Sequence, residues 1–317
     1  MTTPLLMSIE HLTRQYGDLK AVDAVNFDLK RGEVLGFLGP NGAGKSTTMQ
    51  MITGNLAPTA GKITINGIDL LDQPKLAKAE IGYLPEQPPL YTELTVEEYL
   101  IFCVKINGIS RANQTTAINR AIDRCGLGDV KSRLISNLSK GYQQRVGIAQ
   151  AIIHSPSIVI LDEPTVGLDP IQIREIRKLI RELGNEHSVI LSTHILPEVQ
   201  MTCDRVQIIH KGKLVFNDSI ECLNQSMQAT SLIAQFESAP STEALKAITN
   251  VDSIEDLGNH RFRISYLESP AKQIAIEAVN AKWGLIELSP EQKTLEQIFL
   301  EITSSEPSLE KTTKDVA

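Results

Sequence analysis

The segment Gly39-Pro40-Asn41-Gly42-Ala43-Gly44-Lys45-Ser46-Thr47 follows the short apolar run Glu33 to Leu38 and leads into a stretch that reads as a helix from Lys45. It satisfies the spacing GxxxxGK[ST] in the strand-to-helix context that the motif requires. Glycines let successive backbone N–H groups wrap around phosphate oxygens, and the helix N-terminus adds the positive end of its dipole. Lys45 carries a charge to the outer phosphates, and Ser46 is placed to hold Mg²⁺. A glycine-rich turn with an exposed lysine would not need the full spacing and both flanking elements.

Outward from this loop the chain alternates strands and helices. Leu5 to Leu12 and Ala21 to Leu29 read as strands before it. After it, Gly54 suits the end of the helix, and Lys62 to Ile65 before Asn66-Gly67 reads as a hairpin strand with its turn. The region from Leu90 to His154 reads as mostly helical, with Thr95-Val96-Glu97-Glu98 forming a capping box. Ser157 to Leu161 and Ser188 to Ser192 are wholly apolar or nearly so, as in strands buried on both faces of a parallel sheet. Between them, Asp169 suits an N-cap and Pro170 a first helical position, with Ile173, Ile176, Ile180 and Leu183 on one face. The predicted fold is α/β.

Two carboxylates, Asp162 and Glu163, end the apolar run Ser157 to Leu161. Adjacent residues at a strand end point differently, which suits one metal-directed acid and one water-directed base. Asp162 is thus the candidate for orienting Mg²⁺ and Glu163 for polarising the attacking water. His194 in Ser192-Thr193-His194 follows the next strand and could donate a hydrogen bond to a terminal phosphate. A lone histidine is more often structural, so its reading depends on the motif that comes next.

Leu138-Ser139-Lys140-Gly141-Tyr142, followed by Gln143-Gln144-Arg145, has no use within its own phosphate loop. The run resembles the signature of ABC ATPases, LSGGQ followed by QQR. Gly167-Leu168-Asp169 resembles the D-loop of that family, and His194 its switch histidine. Tyr16, which lies 29 residues before Lys45, resembles the aromatic that stacks on adenine; a strand-edge tyrosine in the core is the plainer reading. The resemblance covers residues 1 to about 220. It implies a P-loop NTPase of ABC type, with a mixed sheet core, an antiparallel β subdomain and a helical subdomain, that binds ATP and Mg²⁺. Two departures stand out. Lys140 and Tyr142 replace a Gly and a Gln of the usual signature, although Ser139 and Gly141 remain. The family's Q-loop glutamine falls on Glu86 when counted back from Leu90-Tyr91, with Gln87 one place later, so either could sense the metal and the nucleophile.

The resemblance further implies a homodimer in the ATP-bound state, with Ser139 and Gly141 of one subunit completing the other's site. It also implies a separate membrane-spanning permease. The segments Gly82 to Glu86, Leu138 to Arg145 and Leu295 to Thr303 resemble the ABC-2 exporter branch, which includes drug-resistance and gliding-motility ATPases. An ABC ATPase acting instead on ribosomes, on DNA or in cofactor assembly is the alternative. Net charge of −7 and the lack of a basic stripe argue against a nucleic-acid partner.

No apolar run approaches the roughly 20 residues of a membrane-spanning helix. The four cysteines show no metal-ligand spacing, which fits a reducing cytoplasm, and the resemblance implies a place peripheral at the cytoplasmic face of the membrane. The pattern changes beyond Asn224-Gln225-Ser226. The expected divisions are an ATPase domain over 1–225, an accessory domain over 231–303 and a disordered tail over 304–317. The accessory domain reads βαββαβ, the ferredoxin-like α+β order. It is acidic, with residues 226–317 holding 8 Lys/Arg against 14 Asp/Glu, which disfavours anionic headgroups.

Overall fold

The structure, a computed structural model, describes residues 5–226 and 231–291. The segment Leu295 to Thr303 and the tail expected over 304–317 lie outside the described residues. The chain divides after Ile220 into two compact units. The first opens with strands β1 (Leu5–Tyr16), β2 (Leu19–Lys30) and β3 (Val34–Leu38), then helix α1 (Lys45–Ile52), β4 (Ala60–Ile65), β5 (Ile68–Asp69), α2 (Pro74–Ala79) and β6 (Ile81–Leu84). A helical stretch follows, with α3 (Val96–Ile106), α4 (Arg111–Cys125) and α5 (Lys140–Ile152). The unit closes with β7 (Ile158–Asp162), α6 (Pro170–Leu183), β8 (Ser188–Thr193), α7 (Leu196–Thr202), β9 (Arg205–His210) and β10 (Lys213–Ser219). Helix α8 (Ile220–Ser226) begins at the division.

Two sheets build the first unit. One is a six-stranded sheet in the order β10-β9-β3-β8-β7-β6, in which all neighbours are parallel except the edge pair β10 and β9. Its central strands β3, β7 and β8 are buried at every position, which explains their unbroken apolar sequence. The other sheet is antiparallel, in the order β2-β1-β4-β5. Leu35 and Phe37 of β3, Ile158 and Ile160 of β7 and Met49 and Ile52 of α1 share one core with Ile9, Leu12 and Phe27 of the antiparallel sheet. Helix α1 and the loop before it are thereby fixed between the two sheets.

Local chemistry sets the element ends. Asn66 and Gly67 both have positive φ, 49° and 79°, as the tight turn between β4 and β5 requires. Thr95 accepts from the Glu98 backbone N–H while the Glu98 carboxylate accepts from that of Thr95, so the capping box forms in full. Asp169 caps α6 by accepting from the N–H groups of Ile171 and Gln172, both at 2.9 Å. Gly82 of β6 allows a close approach to α5, because a Cβ there would fall on the Ala151 carbonyl oxygen. Gly82→Ala is therefore expected to destabilise the protein by about 3 kcal/mol through overpacking against backbone. Chemical denaturation would check this; a change of only a few tenths would mean that α5 is free to shift.

The second unit has its own core. Strands β11 (Ser231–Phe236), β12 (Val251–Asp256), β13 (Arg261–Tyr266) and β14 (Leu285–Pro290) alternate with helices α9 (Thr242–Lys246) and α10 (Ala271–Asn280). The sheet order is β12-β13-β11-β14 with every neighbour antiparallel. This is the ferredoxin-like arrangement. Leu232, Phe236, Leu245, Phe262, Ile264 and Ile274 pack together inside it.

Candidate functional site

Four neighbouring parallel strands, β3, β8, β7 and β6, end at the same edge of the large sheet. That edge is where ligands bind in open α/β sheets. β3 runs into the glycine loop, β7 ends on Asp162, β8 leads to His194, and β6 leads to Glu86. A cavity of about 300 Å³ opens there, lined by Ala21, Asn41, Gly42, Gly44, Lys45, Ser46, Thr47, Glu86, Glu163, Val166 and His194.

Gly44 sits at φ 107° immediately before α1, and a Cβ there would lie 2.5 Å from the Ala21 carbonyl oxygen. Only glycine serves at a position that combines that dihedral with that approach. Lys45 is buried, and its ammonium donates to the Gly39 carbonyl at 2.9 Å and to that of Pro40 at 3.4 Å. It also lies 3.3 Å from Glu163 Oε1. The other Glu163 oxygen, Oε2, is 2.9 Å from His194 Nδ1. A lysine, a carboxylate and an imidazole thus meet at the mouth of the phosphate loop. Glu163 has a positive φ of 49°. That conformation costs a non-glycine residue free energy and persists only where neighbouring contacts hold it.

Asp162 lies just beneath. It is almost fully buried, and its Oδ1 accepts from Ser192 Oγ at 2.7 Å. Burial pushes its carboxyl up from the ordinary range, hydrogen bonds from Ser192 and Ser46 oppose that, and the nearby Glu163 charge adds to the rise. Ser46 and Asp162 therefore present two hard oxygen donors side by side, which fits a divalent cation of the Mg²⁺ type.

The remaining candidate residues fall into two groups. Gly39, Pro40 and Ala43 support the loop from behind, the first two through their carbonyls and Ala43 through the core. Tyr16, Gln87, Ser139, Gly141 and Asp169 do not line this cavity. Tyr16 is exposed at the end of β1, with the Arg14 guanidinium 4.6 Å from its ring centre, so it is not a core side chain. Ser139 is the N-cap of α5. Lys140, which replaces a signature glycine, lies against Gly167. Sequence reading missed Ala21, Val166 and Ser192. None of the three carries a motif signal, since Ala21 contributes a backbone carbonyl and Ser192 acts through a partner thirty residues away.

This fold and site define a P-loop nucleoside-triphosphatase. Residues 22–166 match the family described as ABC transporter. The bacitracin transport ATP-binding protein BcrA of Bacillus licheniformis is 44% identical over 206 residues, covering 64% of this chain and 66% of that protein. The linearmycin resistance ATP-binding protein LnrL of Bacillus subtilis (strain 168) is 30% identical over 305 residues, 94% of this chain and 98% of that one. A solved ATP-binding subunit of an ABC transporter superposes with a TM-score of 0.63 at 33% identity, over 70% of this chain and 92% of its own. The chain belongs to the ABC transporter ATP-binding proteins, and it binds and hydrolyses ATP. The antibiotic-transport and resistance names of two relatives agree with the resemblance to the ABC-2 exporter branch.

Proposed function

We propose that this chain powers export through a separate membrane-spanning permease, working at the cytoplasmic face as a dimer that closes around two ATP molecules. The observation that carries this reading is the convergence of Lys45, Ser46, Glu163 and His194 in one cavity at the ends of the parallel strands. Lys45 and the loop N–H groups would take the phosphates. Ser46 and Asp162 would hold Mg²⁺, which offsets phosphate charge as the bond to the terminal phosphoryl group breaks. Glu163 accepts the proton of the attacking water, and His194 aligns that carboxylate from 2.9 Å. Glu163 Oε1 lies 3.3 Å from the Lys45 ammonium. Phosphate competes for the lysine and leaves the carboxylate available to water.

Ser139 and Gly141 act on the second copy's nucleotide in this reading, since they stand at the start of α5 and outside their own cavity. Asp169 caps the next helix and would meet the partner beside them, and Tyr16 offers an exposed ring to adenine. A second, larger hollow of about 720 Å³ is lined by Gln50, Thr53, Tyr83, Pro85, Pro89 and His154 among others. Buried in its lining, Gln150 Oε1 and His154 Nδ1 make no hydrogen bond among the described residues. It lies between α1 and the helical stretch and suits a cytoplasmic helix of the permease with polar groups at its tip. Affinity purification of the tagged chain from solubilised membranes should recover a polytopic protein in stoichiometric amount. Recovery of ribosomes or DNA-binding proteins in its place would sink the transport reading.

Glu86 lines the cavity and Gln87 does not, so Glu86 is assigned as the sensor of metal and nucleophile. Glu86→Ala should reduce hydrolysis about tenfold and shift its Mg²⁺ titration, whereas Gln87→Ala should change either by less than about twofold. The reverse ranking would move the role to Gln87.

The second unit is proposed to regulate or pair the ATPase without doing chemistry, because it builds an independent core. Truncation after Gln225 should leave ATP affinity within about threefold while altering basal hydrolysis or dimerisation. Loss of ATP binding by a still-folded truncation would show that the division of labour is wrong.

A further inference from the structure

Glu198 is an acid with no place in the cavity, yet it is only 1% exposed. It lies on α7 and its carboxylate is held by three groups. Oε1 accepts from Thr165 Oγ1 at 2.6 Å and lies 3.5 Å from Arg177 Nη2 on α6, while Oε2 accepts from Thr193 Oγ1 at 2.9 Å. Burying a carboxylate is costly and is tolerated when donors satisfy it and a cation lies near. A purely space-filling position on α7 would take an aliphatic side chain at lower cost.

The positions of its donors give the acid a role. Thr165 stands two residues after Glu163, and Thr193 immediately precedes His194. One carboxylate therefore ties together the two loops whose tips carry the Glu163–His194 contact. Those loops need tying. Glu163 sits at a φ of 49°, and its own backbone N–H is held by the Ser192 carbonyl at 2.8 Å. Strain of that kind persists only where the surrounding structure over-determines the residue. Glu198 supplies the contact on the C-terminal side through Thr165, and it pins the opposing loop through Thr193, whose Oγ1 also accepts from the Ile195 N–H at 3.1 Å.

We propose that Glu198 is a positioning residue for hydrolysis, fixing the separation and orientation of Glu163 and His194 through Thr165 and Thr193. This rests on the reading of Glu163 as the base. The test compares full-length variants by steady-state hydrolysis, ATP binding and thermal melting. Glu198→Gln keeps the volume but replaces one acceptor oxygen with an amide that cannot accept. It should lower kcat about tenfold while leaving the ATP KM within about twofold, as expected when reacting groups are displaced by a fraction of an ångström. Thr165→Ser keeps the donor and should retain turnover, and Thr165→Val should lose it to the same extent as Glu198→Gln. This serine–valine pair also decides the matter if Glu198→Gln does not fold. Turnover within about twofold of the parent in both Glu198→Gln and Thr165→Val would overturn the proposal. So would equal activity of the serine and valine variants. Glu163→Gln, run beside them, keeps the two failures apart: if it is inactive while Glu198→Gln is fully active, only the positioning role falls, and if it turns over normally, the base assignment falls first.

Discussion

Glu163→Gln is expected to lower kcat for ATP hydrolysis by about 10²- to 10⁴-fold, the range lost when a positioned general base is removed. The amide keeps the shape of the carboxylate and can still meet His194, but it cannot take a proton from water. It also removes the negative charge that lies 3.3 Å from Lys45. The lysine then has no internal anion to give up when phosphate arrives, so ATP affinity should hold or rise. If the chain closes as the proposed dimer, slow hydrolysis with retained binding should lead to accumulation of the closed form. Phosphate release and size-exclusion chromatography in ATP measure the two arms. Parental turnover by Glu163→Gln would remove that residue from the base role.

Much of this site could be read from the chain because each part is announced by local pattern. The phosphate loop needs its glycines at fixed offsets, and the strand before Asp162-Glu163 must be apolar because both of its faces are buried. The ferredoxin-like order of the second unit is legible because its strands and helices are separate short segments, and the first of its helices, α9, starts at a capping serine, Ser241. Helices α2 and α7 were not read. Each is too short for the apolar period to repeat over two full turns, and in both a proline occupies the first turn and mimics a loop signal.

The other gaps concern contacts between distant segments. An acid at position 198 in a polar-looking stretch reads as surface, and only the closing of α7 onto β8 makes it a buried anchor. The same holds for the ion pair of Lys45 with Glu163, which no spacing rule connects. Counting back from Leu90-Tyr91 favours Glu86 over Gln87, but a one-residue register in a loop has no periodic signal to support the count; the path of the chain after β6 places Glu86, and not Gln87, in the cavity lining.

The second large effect is expected at Lys45. Lys45→Ala should weaken ATP binding by about two orders of magnitude, corresponding to about 3 kcal/mol for a charged hydrogen bond to phosphate lost from a buried site. The geometry adds a second consequence. Lys45 is anchored by the Gly39 and Pro40 carbonyls, so its ammonium is aimed before nucleotide arrives and little ordering remains for binding to supply. Lys45→Arg should therefore rescue poorly, because a forked guanidinium cannot occupy a cradle spanning a carbonyl at 2.9 Å and a carboxylate at 3.3 Å without displacing the loop. Equilibrium binding of ATP to the two variants, each checked for intact folding by thermal melting, separates these effects. Affinity of Lys45→Ala within about threefold of the parent would mean that the loop N–H groups carry phosphate recognition without the lysine.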